Sequence, residues 1–256
     1  MPVKIAALDF DGTLHRGGTI APQDIAAIDA WRKAGHLAIS ATGRSRSSLT
    51  RGLTGLNRTF DYNVLSNGGS STDAENNLLF GHPLPSSAVR TLVSTFHQLD
   101  GLAVYGTTLG DNDGVFSNNT GQKRNKLTEG FIEMTVDDIP FHDFAVVPFW
   151  VPTDMNLREI VIDWIRKHLP HVAITTNHNF IDIMAAGVNK GSGIQQLLAY
   201  LGINDYELYT FGDSWNDIPM HEIAHRSHSF DFSPTDVKDA SHQVIRRVSD
   251  CLMDYA

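Results

Sequence analysis

The chain begins with a short apolar segment that runs into acidic residues. Residues Val3–Phe10 are almost continuously apolar, and they overlap the sequence Asp9–Thr13, which holds two carboxylates and a glycine. A short apolar run of this kind is typical of a parallel β-strand that is covered on both of its faces. The sequence therefore predicts a buried first strand whose end carries carboxylates.

Strand and helix patterns alternate after this segment. A helix begins at Pro22 and ends before Gly35, as expected from proline at a helix start and glycine just past a helix end. Three further strands are predicted, and each ends in polar residues: Leu37–Ala41 before Thr42–Arg44, Asn63–Ser66 before Asn67–Gly69, and Glu207–Phe211 before Gly212–Ser214. Such alternation predicts an α/β fold with a parallel sheet and right-handed crossovers.

The middle of the chain has a different pattern. Ala88–Leu99 and Leu157–Ile165 have apolar residues at helical spacing. Short alternating or aromatic runs separate and follow them: Leu102–Thr107, Phe131–Val136, Phe144–Val151, Val172–Thr176 and Phe180–Met184. We therefore expect residues 1–81 and 184–256 to form one discontinuous domain, and residues 82–183 to form a second, inserted domain of the α+β class.

Composition excludes several classes of protein. The chain has 256 residues and a formal net charge of −9, which disfavours a broad nucleic-acid partner. Its one cysteine, Cys251, excludes an intramolecular disulfide and a thiolate metal cluster, and it fits a reducing compartment. The first apolar run is interrupted by Asp9, and no later run approaches membrane-spanning length. We expect a cytoplasmic protein with no membrane partner. Oligomeric state has no readable signal.

The polar strand ends predict one shared site. Ligands of open parallel sheets bind outside the carboxyl ends of the strands. The side chains expected at this edge are Asp9, Asp11, Thr42, Asn67, Asp213, Asn216 and Asp217, with Lys190 at the start of a helix beside them. Converging carboxylates repel each other unless a cation lies between them, and oxygen ligands suit Mg²⁺. The sequence thus predicts a magnesium site.

A carboxylate next to such a metal can attack phosphorus and form an aspartyl-phosphate. The added charge on the phosphoryl oxygens needs fixed cations and donors, which Lys190 and Thr42 can supply. Asp11 lies two residues after Asp9, beside Gly12, and it can protonate a leaving oxygen and then activate water.

These segments resemble the motifs of the haloacid dehalogenase (HAD) superfamily. The four matching segments are Asp9–Thr13, Thr42–Arg44, Lys190 and Gly212–Asp217, in that order. Asn67–Gly69 and the inserted domain are similar to those of its Cof-like hydrolases, which carry a type C2 (subclass IIB) cap. The resemblance implies a Rossmann-like parallel sheet core with an inserted α+β cap domain. It covers about half of the chain, because no cap signature is matched.

The resemblance also implies roles for individual residues. Asp9 would be the nucleophile and Asp11 the general acid and base, while Thr42 and Lys190 would hold the phosphoryl group. Asp213 would bind Mg²⁺ together with a carboxylate oxygen of Asp9 and the main-chain carbonyl of Asp11, and Asp217 would support the metal directly or through water. The residues expected to contact phosphate or substrate are Gly43, Arg44, Asn67, Gly68 and Asn216.

Two features stay outside this pattern. Where Cof-like proteins usually have a Gly-Asn-Ala turn, the chain reads Phe230–Pro234, so the role of an asparagine there is in doubt. In the inserted domain, Lys123, Arg124 and Lys126 could steer an anion, and His142 and His178 could touch substrate. A solvated loop and ordinary surface or packing histidines are the simpler interpretations.

The implied function is a Mg²⁺-dependent phosphatase that acts on a small phosphorylated metabolite. The resemblance most favours sugar phosphates, followed by flavin or pyridoxal phosphates. One alternative is a phosphotransferase or phosphomutase, which passes the phosphoryl group to a hydroxyl and not to water. Another is a catalytically silent binding or regulatory module on the same fold. The reactive positions are all filled, which disfavours this last alternative.

Overall fold

The computed structural model describes residues 2–54, 60–110, 112–124, 128–177 and 179–255, and these residues form two compact units. The first unit consists of the described residues of Met1–Gly43, Gly55–Leu79 and Asn189–Ala256. The second consists of Arg44–Thr54 and the described residues of Phe80–Val188. Within the described parts of the chain, every helix is too short or too polar to cross a membrane.

The strands, in chain order, are β1 (Val3–Leu8), β2 (His15–Arg16), β3 (Thr19–Ile20), β4 (Leu37–Ala41), β5 (Tyr62–Leu65), β6 (Ser70–Asp73), β7 (Leu78–Gly81), β8 (Ala103–Thr108), β9 (Gly114–Asn118), β10 (Ile132–Glu133), β11 (Phe144–Trp150), β12 (Val172–Asn177), β13 (Phe180–Ala185), β14 (Tyr206–Phe211), β15 (Arg226–Phe230) and β16 (Gln243–Ile245). The α-helices are α1 (Pro22–Lys33), α2 (Arg46–Gly52), α3 (Ser86–Phe96), α4 (Met155–His168), α5 (Lys190–Tyr200), α6 (Ile218–Glu222), α7 (Thr235–Asp239) and α8 (Ser249–Tyr255). Short 3₁₀ turns occupy Ser66–Gly68, Val136–Phe141 and Trp215–Asp217.

The main sheet has the strand order β16-β15-β14-β1-β4-β5-β6-β7. Its pairs are parallel from β16 through β5, and β6 then pairs antiparallel with β5. Leu8 pairs with Phe211 of β14 and with Ser40 of β4, so these strands reach the same edge. The expected α/β class with a parallel sheet core is confirmed.

Burial explains the central place of β1. Ile5–Leu8 have no exposed surface, as expected for a strand covered on both faces. Helix α1 buries Ile28 and Trp31, and the indole Nε1 of Trp31 donates to the carbonyl oxygen of Leu37 at 2.8 Å. A buried indole N–H needs such a partner, and this contact fixes α1 beside the start of β4.

The second unit contains a six-stranded sheet of order β10-β9-β8-β11-β13-β12, antiparallel except between β9 and β10. Helices α3 and α4 bury the apolar faces that their spacing predicts, and they pack on the inner residues of β11 and β13. Aromatic contacts fix this packing, because the Phe96 ring lies edge-on to both Phe149 and Trp164.

Some boundaries differ from the sequence expectation. The compact units place residues 44–54 with the second unit, where Asp113 accepts hydrogen bonds from Ser45 and Ser47. Helix α3 begins two residues earlier than expected and ends at Phe96. The run expected over residues 131–136 forms only the short strand β10, and the chain then enters a 3₁₀ turn that contains Pro140.

Candidate active site

Asp9 follows β1 directly and is held at the edge of the parallel sheet. Its backbone N–H donates to the carbonyl oxygen of Phe211 at 2.8 Å, and only 5% of the residue is exposed. This hydrogen bond extends the pairing of β1 with β14 by one residue. The Asp9 carboxylate therefore starts from a rigid strand end and not from a mobile loop.

Lys190 is the first residue of α5, and the sequence fixes this helix start. The side chain of Asn189 accepts from the backbone N–H of Ser192 at 2.9 Å, and the Ser192 hydroxyl oxygen accepts from the backbone N–H of Asn189 at 3.0 Å. This local network satisfies backbone groups that a helix start leaves open. The Lys190 Nζ donates to Oδ1 of Asp9 and to Oδ1 of Asp217, each at 2.6 Å, with no part of the lysine exposed.

Asp217 uses both of its carboxylate oxygens within the protein. Oδ1 accepts from Lys190, while Oδ2 accepts the backbone N–H groups of Asp213 and Ser214, both at 2.9 Å. The carboxylate thus fixes the turn that carries Asp213. This geometry favours Asp217 as a residue that orients its neighbours.

Asp9, Asp213 and Asp217 form a buried carboxylate cluster. Each offers an oxygen, and these oxygens lie within 4.8 Å of one another. Burial raises the pKa of Asp9 well above its usual range; Lys190 acts in the opposite direction, and the charges of Asp217 and Asp213 raise it further. Burial alone would lower the pKa of Lys190, but Asp217 and Asp9 raise it above its ordinary value. Lys190 is therefore a stable cation.

This cluster fits a divalent cation. Three buried carboxylates with one lysine leave an excess of negative charge, and oxygen atoms are the ligands that Mg²⁺ prefers. A cation there would favour the ionised form of Asp9 that a nucleophile needs. Asp217 differs from its neighbours in that both of its oxygens accept hydrogen bonds from Lys190 and the backbone.

Asp11 occupies a different environment from Asp9. Its side chain is 35% exposed, and its Oδ1 lies 3.6 Å from Nδ1 of His15. The His15 ring stacks on Phe10 with a centroid distance of 5.1 Å. Asp9 is thus enclosed beside a fixed lysine, whereas Asp11 faces partly toward solvent, which suits a group that exchanges protons.

The ends of β4 and β5 meet through backbone contacts. The backbone N–H of Asn67 donates to the carbonyl oxygen of buried Thr42 at 3.0 Å. The Asn216 Nδ2 donates to Oδ1 of Asn67 at 3.0 Å, and a Cβ on Gly43 would lie 3.2 Å from the same oxygen. At Gly68, φ is +97° and a Cβ would lie 2.1 Å from the Asn189 carbonyl oxygen, so only glycine fits there.

Arg44 is counted with the second unit, and its Nη1 donates to the carbonyl oxygen of Ser48 at 3.1 Å. In the same unit, Arg124 pairs with Glu133, and the His142 ring lies near Phe144. Lys126 and His178 lie outside the described residues.

Gly12 and Thr13 of the first motif both contact Asp213, which the motif by itself does not predict. The Thr13 hydroxyl donates to Oδ1 of Asp213 at 2.8 Å. Gly12 has φ of +87°, and a Cβ there would lie 2.4 Å from Oδ2 of Asp213. The Gly-Thr pair after the second carboxylate is visible in the sequence, but Asp213, which it contacts, lies 200 residues from Thr13 in the chain.

The parallel sheet and the carboxylate cluster at its edge agree with the family that the sequence motifs resemble. A comparison with known protein families points to the same family. The model of the haloacid dehalogenase-like hydrolase family matches residues 6–250. The chain belongs to this family and is an enzyme of the HAD hydrolase type, as its motifs implied.

Curated relatives carry phosphatase names. A provisionally named phosphatase of Haemophilus influenzae is 29% identical over 119 residues, which cover 44% of this chain and 45% of that protein. A provisionally named bifunctional phosphatase and peptidyl-prolyl cis-trans isomerase of Streptococcus pyogenes is 24% identical over 226 residues, 87% of this chain and 46% of that protein. The matched part thus spans less than half the length of these relatives.

Solved structures show the same fold. A sugar phosphatase of HAD subclass IIB superposes with a TM-score of 0.82 at 20% identity, covering 99% of both chains. A HAD-like hydrolase from Bacteroides thetaiotaomicron gives a TM-score of 0.78 at 16% identity, covering 99% of this chain and 100% of that chain. At these identities the likeness establishes the fold alone.

Proposed function

We propose that this chain is a Mg²⁺-dependent phosphatase that hydrolyses a small phosphorylated metabolite through an aspartyl-phosphate on Asp9. The observation that carries the proposal is the position of Lys190, whose Nζ lies 2.6 Å from Oδ1 of Asp9 inside a buried carboxylate cluster. An enclosed lysine holds the nucleophile in place and supplies a permanent cation for phosphoryl oxygens. Sugar phosphates are the proposed substrate class.

In the proposed first step, an Asp9 carboxylate oxygen attacks phosphorus and the bond from phosphorus to the ester oxygen breaks. Asp11, protonated at this stage, gives its proton to the leaving oxygen, and the alcohol departs. In the second step, Asp11 takes a proton from water, which attacks phosphorus. The acyl-phosphate bond then breaks, which frees inorganic phosphate and restores the Asp9 carboxylate.

Other residues hold the reacting groups. Lys190 and Thr42 would bind the phosphoryl oxygens, and Gly43, Asn67, Gly68 and Asn216 would line its surroundings, with Arg44 as a substrate contact. Asp9, Asp213 and the main-chain carbonyl of Asp11 would hold the metal, while Asp217 orients Lys190 and Asp213. Bound Mg²⁺ would supply positive charge that offsets charge building up on the phosphoryl oxygens.

We also propose that the two domains have different functions. Residues 1–81 and 184–256 would form the catalytic core, since they carry the four motifs. Residues 82–183 would form the cap that selects the leaving group and excludes bulk water. The inserted position of this segment and its separate hydrophobic core support this assignment.

The deciding experiment measures phosphate release from a panel of sugar phosphates and from p-nitrophenyl phosphate, with and without Mg²⁺. The proposal expects phosphate release that requires Mg²⁺ and is fastest with a sugar phosphate. Product isomers without free phosphate would establish a phosphomutase instead. If no ester in the panel reacts under either condition, the proposed activity is wrong.

A further inference from the structure

Arg16 connects two loops at the edge of the first unit. Its Nε donates to the carbonyl oxygens of Gly12 at 2.8 Å and Thr13 at 2.9 Å. Its Nη1 donates to the carbonyl oxygen of Arg246 at 2.9 Å. A planar guanidinium can satisfy several carbonyl groups in fixed directions, which a lysine ammonium cannot do.

Two phenylalanines hold the guanidinium from its face. The guanidinium carbon of Arg16 lies 4.3 Å from the ring centroid of Phe230 and 4.6 Å from that of Phe232. These rings stack on each other at 5.5 Å, and Phe232 remains 53% exposed. Both belong to the Phe230–Pro234 segment, which departs from the Cof-like pattern. The segment that differs from the Cof-like pattern thus supplies the two aromatic rings that make cation–π contacts with Arg16.

The Arg16 side chain is partly buried. Its remaining nitrogen, Nη2, is buried and has no hydrogen-bond partner among the described residues. Its other two nitrogens donate to carbonyl oxygens and its carbon lies over two rings, so the contacts of the Arg16 guanidinium are with the protein itself.

The loop that Arg16 holds also contacts Asp213. The Thr13 hydroxyl donates to Oδ1 of Asp213, and Gly12 approaches the same carboxylate so closely that a Cβ would clash. Asp11 is the residue directly before Gly12 in the chain. A shift of this loop would therefore move Asp11 and release Asp213 from its contacts.

We propose that Arg16 is a positioning residue for the active site, and that Phe230 and Phe232 hold its guanidinium in the required orientation. The proposal rests on the function proposed above, since it assigns Arg16 the task of placing Asp11 and Asp213. Partners that orient metal ligands affect metal affinity and rate by about 10–100-fold when they are removed. Arg16 contacts neither Thr42 nor Lys190 in the hydrogen bonds that fix the loop, so substrate affinity should change less than rate.

Two variants test the proposal. Arg16→Lys keeps the positive charge but removes the planar guanidinium. Phe232→Ala removes one of the two stacked rings, the half-exposed one, without changing the charge. Matched controls in the same unit are Arg32→Lys, whose arginine lies on α1 and pairs with Asp61 directly before β5, and Tyr200→Ala, which removes a 59% exposed aromatic ring at the end of α5.

For each variant we would measure kcat, KM for p-nitrophenyl phosphate, the Mg²⁺ concentration that gives half-maximal rate, and the rise in Tm on adding Mg²⁺. We expect Arg16→Lys and Phe232→Ala to lower kcat about tenfold and to require about tenfold more Mg²⁺, with KM changed less. Their Mg²⁺-induced rise in Tm should shrink, while both controls match the wild type.

A different set of measurements would overturn the positioning role of Arg16. If Phe232→Ala lowers the metal-free Tm yet keeps the wild-type kcat and Mg²⁺ response, Arg16 has only a structural role and the inference is overturned. A wild type that hydrolyses no ester would defeat the proposed function, whereas the Mg²⁺-induced Tm rise would still report on the Arg16 contacts. The two failures are therefore distinguishable.

Discussion

Lys190 donates to Oδ1 of Asp9 at 2.6 Å from a position with no exposed surface. This pair joins the first strand of the sheet to a helix that begins 181 residues later in the chain. Removing the cation as Lys190→Met would leave the buried carboxylates without their partner, at a cost of about 3–5 kcal/mol in the free energy of unfolding.

Urea denaturation without and with Mg²⁺ would measure this loss, and we expect Mg²⁺ to restore part of it. Lys33→Met, which replaces an exposed lysine in the last turn of α1, serves as the control and should unfold like the wild type. A Lys190→Met protein as stable as this control would contradict the electrostatic account of the cluster.

Asp9→Asn should remove activity without unfolding the protein. The amide cannot act as the nucleophile, and we expect the rate with p-nitrophenyl phosphate to fall at least about a thousandfold. Since burial raises the pKa of Asp9, a neutral side chain there removes a costly charge, and the metal-free Tm should not decrease. Asp24→Asn changes another buried aspartate, bonded to Arg247 and Ser249, and should retain activity. Normal turnover by Asp9→Asn would exclude this nucleophile.

Buried His228 should make the free energy of unfolding depend on pH. Burial lowers its pKa to about 4, and the charges of His221, His242 and Arg226 act in the same direction, against a hydrogen bond to the Thr210 carbonyl oxygen. Above the unfolded pKa of about 6.5 both states are neutral. As pH falls from there toward 4, only the unfolded state binds the proton, so the free energy of unfolding decreases by up to about 3 kcal/mol.

Urea denaturation at pH 7, 6 and 5 would test this contribution. His228→Phe preserves stacking on Phe211 and removes the titrating group, so its stability should fall less over this range. His168→Gln changes an exposed histidine of α4 and should follow the wild type. Equal pH dependence in all three proteins would show that His228 has no part in it.

Asp113 should stabilise the segment that follows Arg44. Its Oδ2 accepts from the hydroxyls of Ser45 and Ser47, and its Oδ1 accepts from the Thr108 backbone N–H at 3.0 Å. Asp113→Ala leaves these donors without their acceptor, at a cost of about 1–3 kcal/mol. Hydrogen exchange should quicken in α2, and less so in Asp113→Asn, which retains an acceptor oxygen. Unchanged exchange in Asp113→Ala would refute this role.

The strands that build the site were predictable because they are apolar and end in distinctive residues. β1, β4 and β14 all carry this signal, and the parallel sheet then brings Asp9, Thr42 and Asp213 to one edge. Lys190 was predictable because a helix pattern follows it. These features are local in sequence, and the family comparison confirms the class that they indicated.

Other elements carried no such signal. β15 (Arg226–Phe230) is mostly polar, yet Ser227, His228 and Ser229 are buried. Side-chain partners compensate for this, since Ser227 contacts His242 and Ser229 contacts Ser241. Hydrophobic patterning cannot detect a strand whose buried groups are satisfied by distant side chains. The stacking of Arg16 on Phe230 was equally hidden, because it joins residues from opposite ends of the chain.

The place of β1 between β4 and β14 has a consequence for biosynthesis. On the ribosome, Asp9 emerges about 200 residues before Asp213, which at 5–20 residues per second is a delay of roughly 10–40 s. During that interval β4 can already pair with β1, but the opposite edge of β1 has no neighbour. The carboxylate cluster of Asp9, Asp213 and Asp217 therefore cannot assemble until β14 and the turn after it have been synthesised.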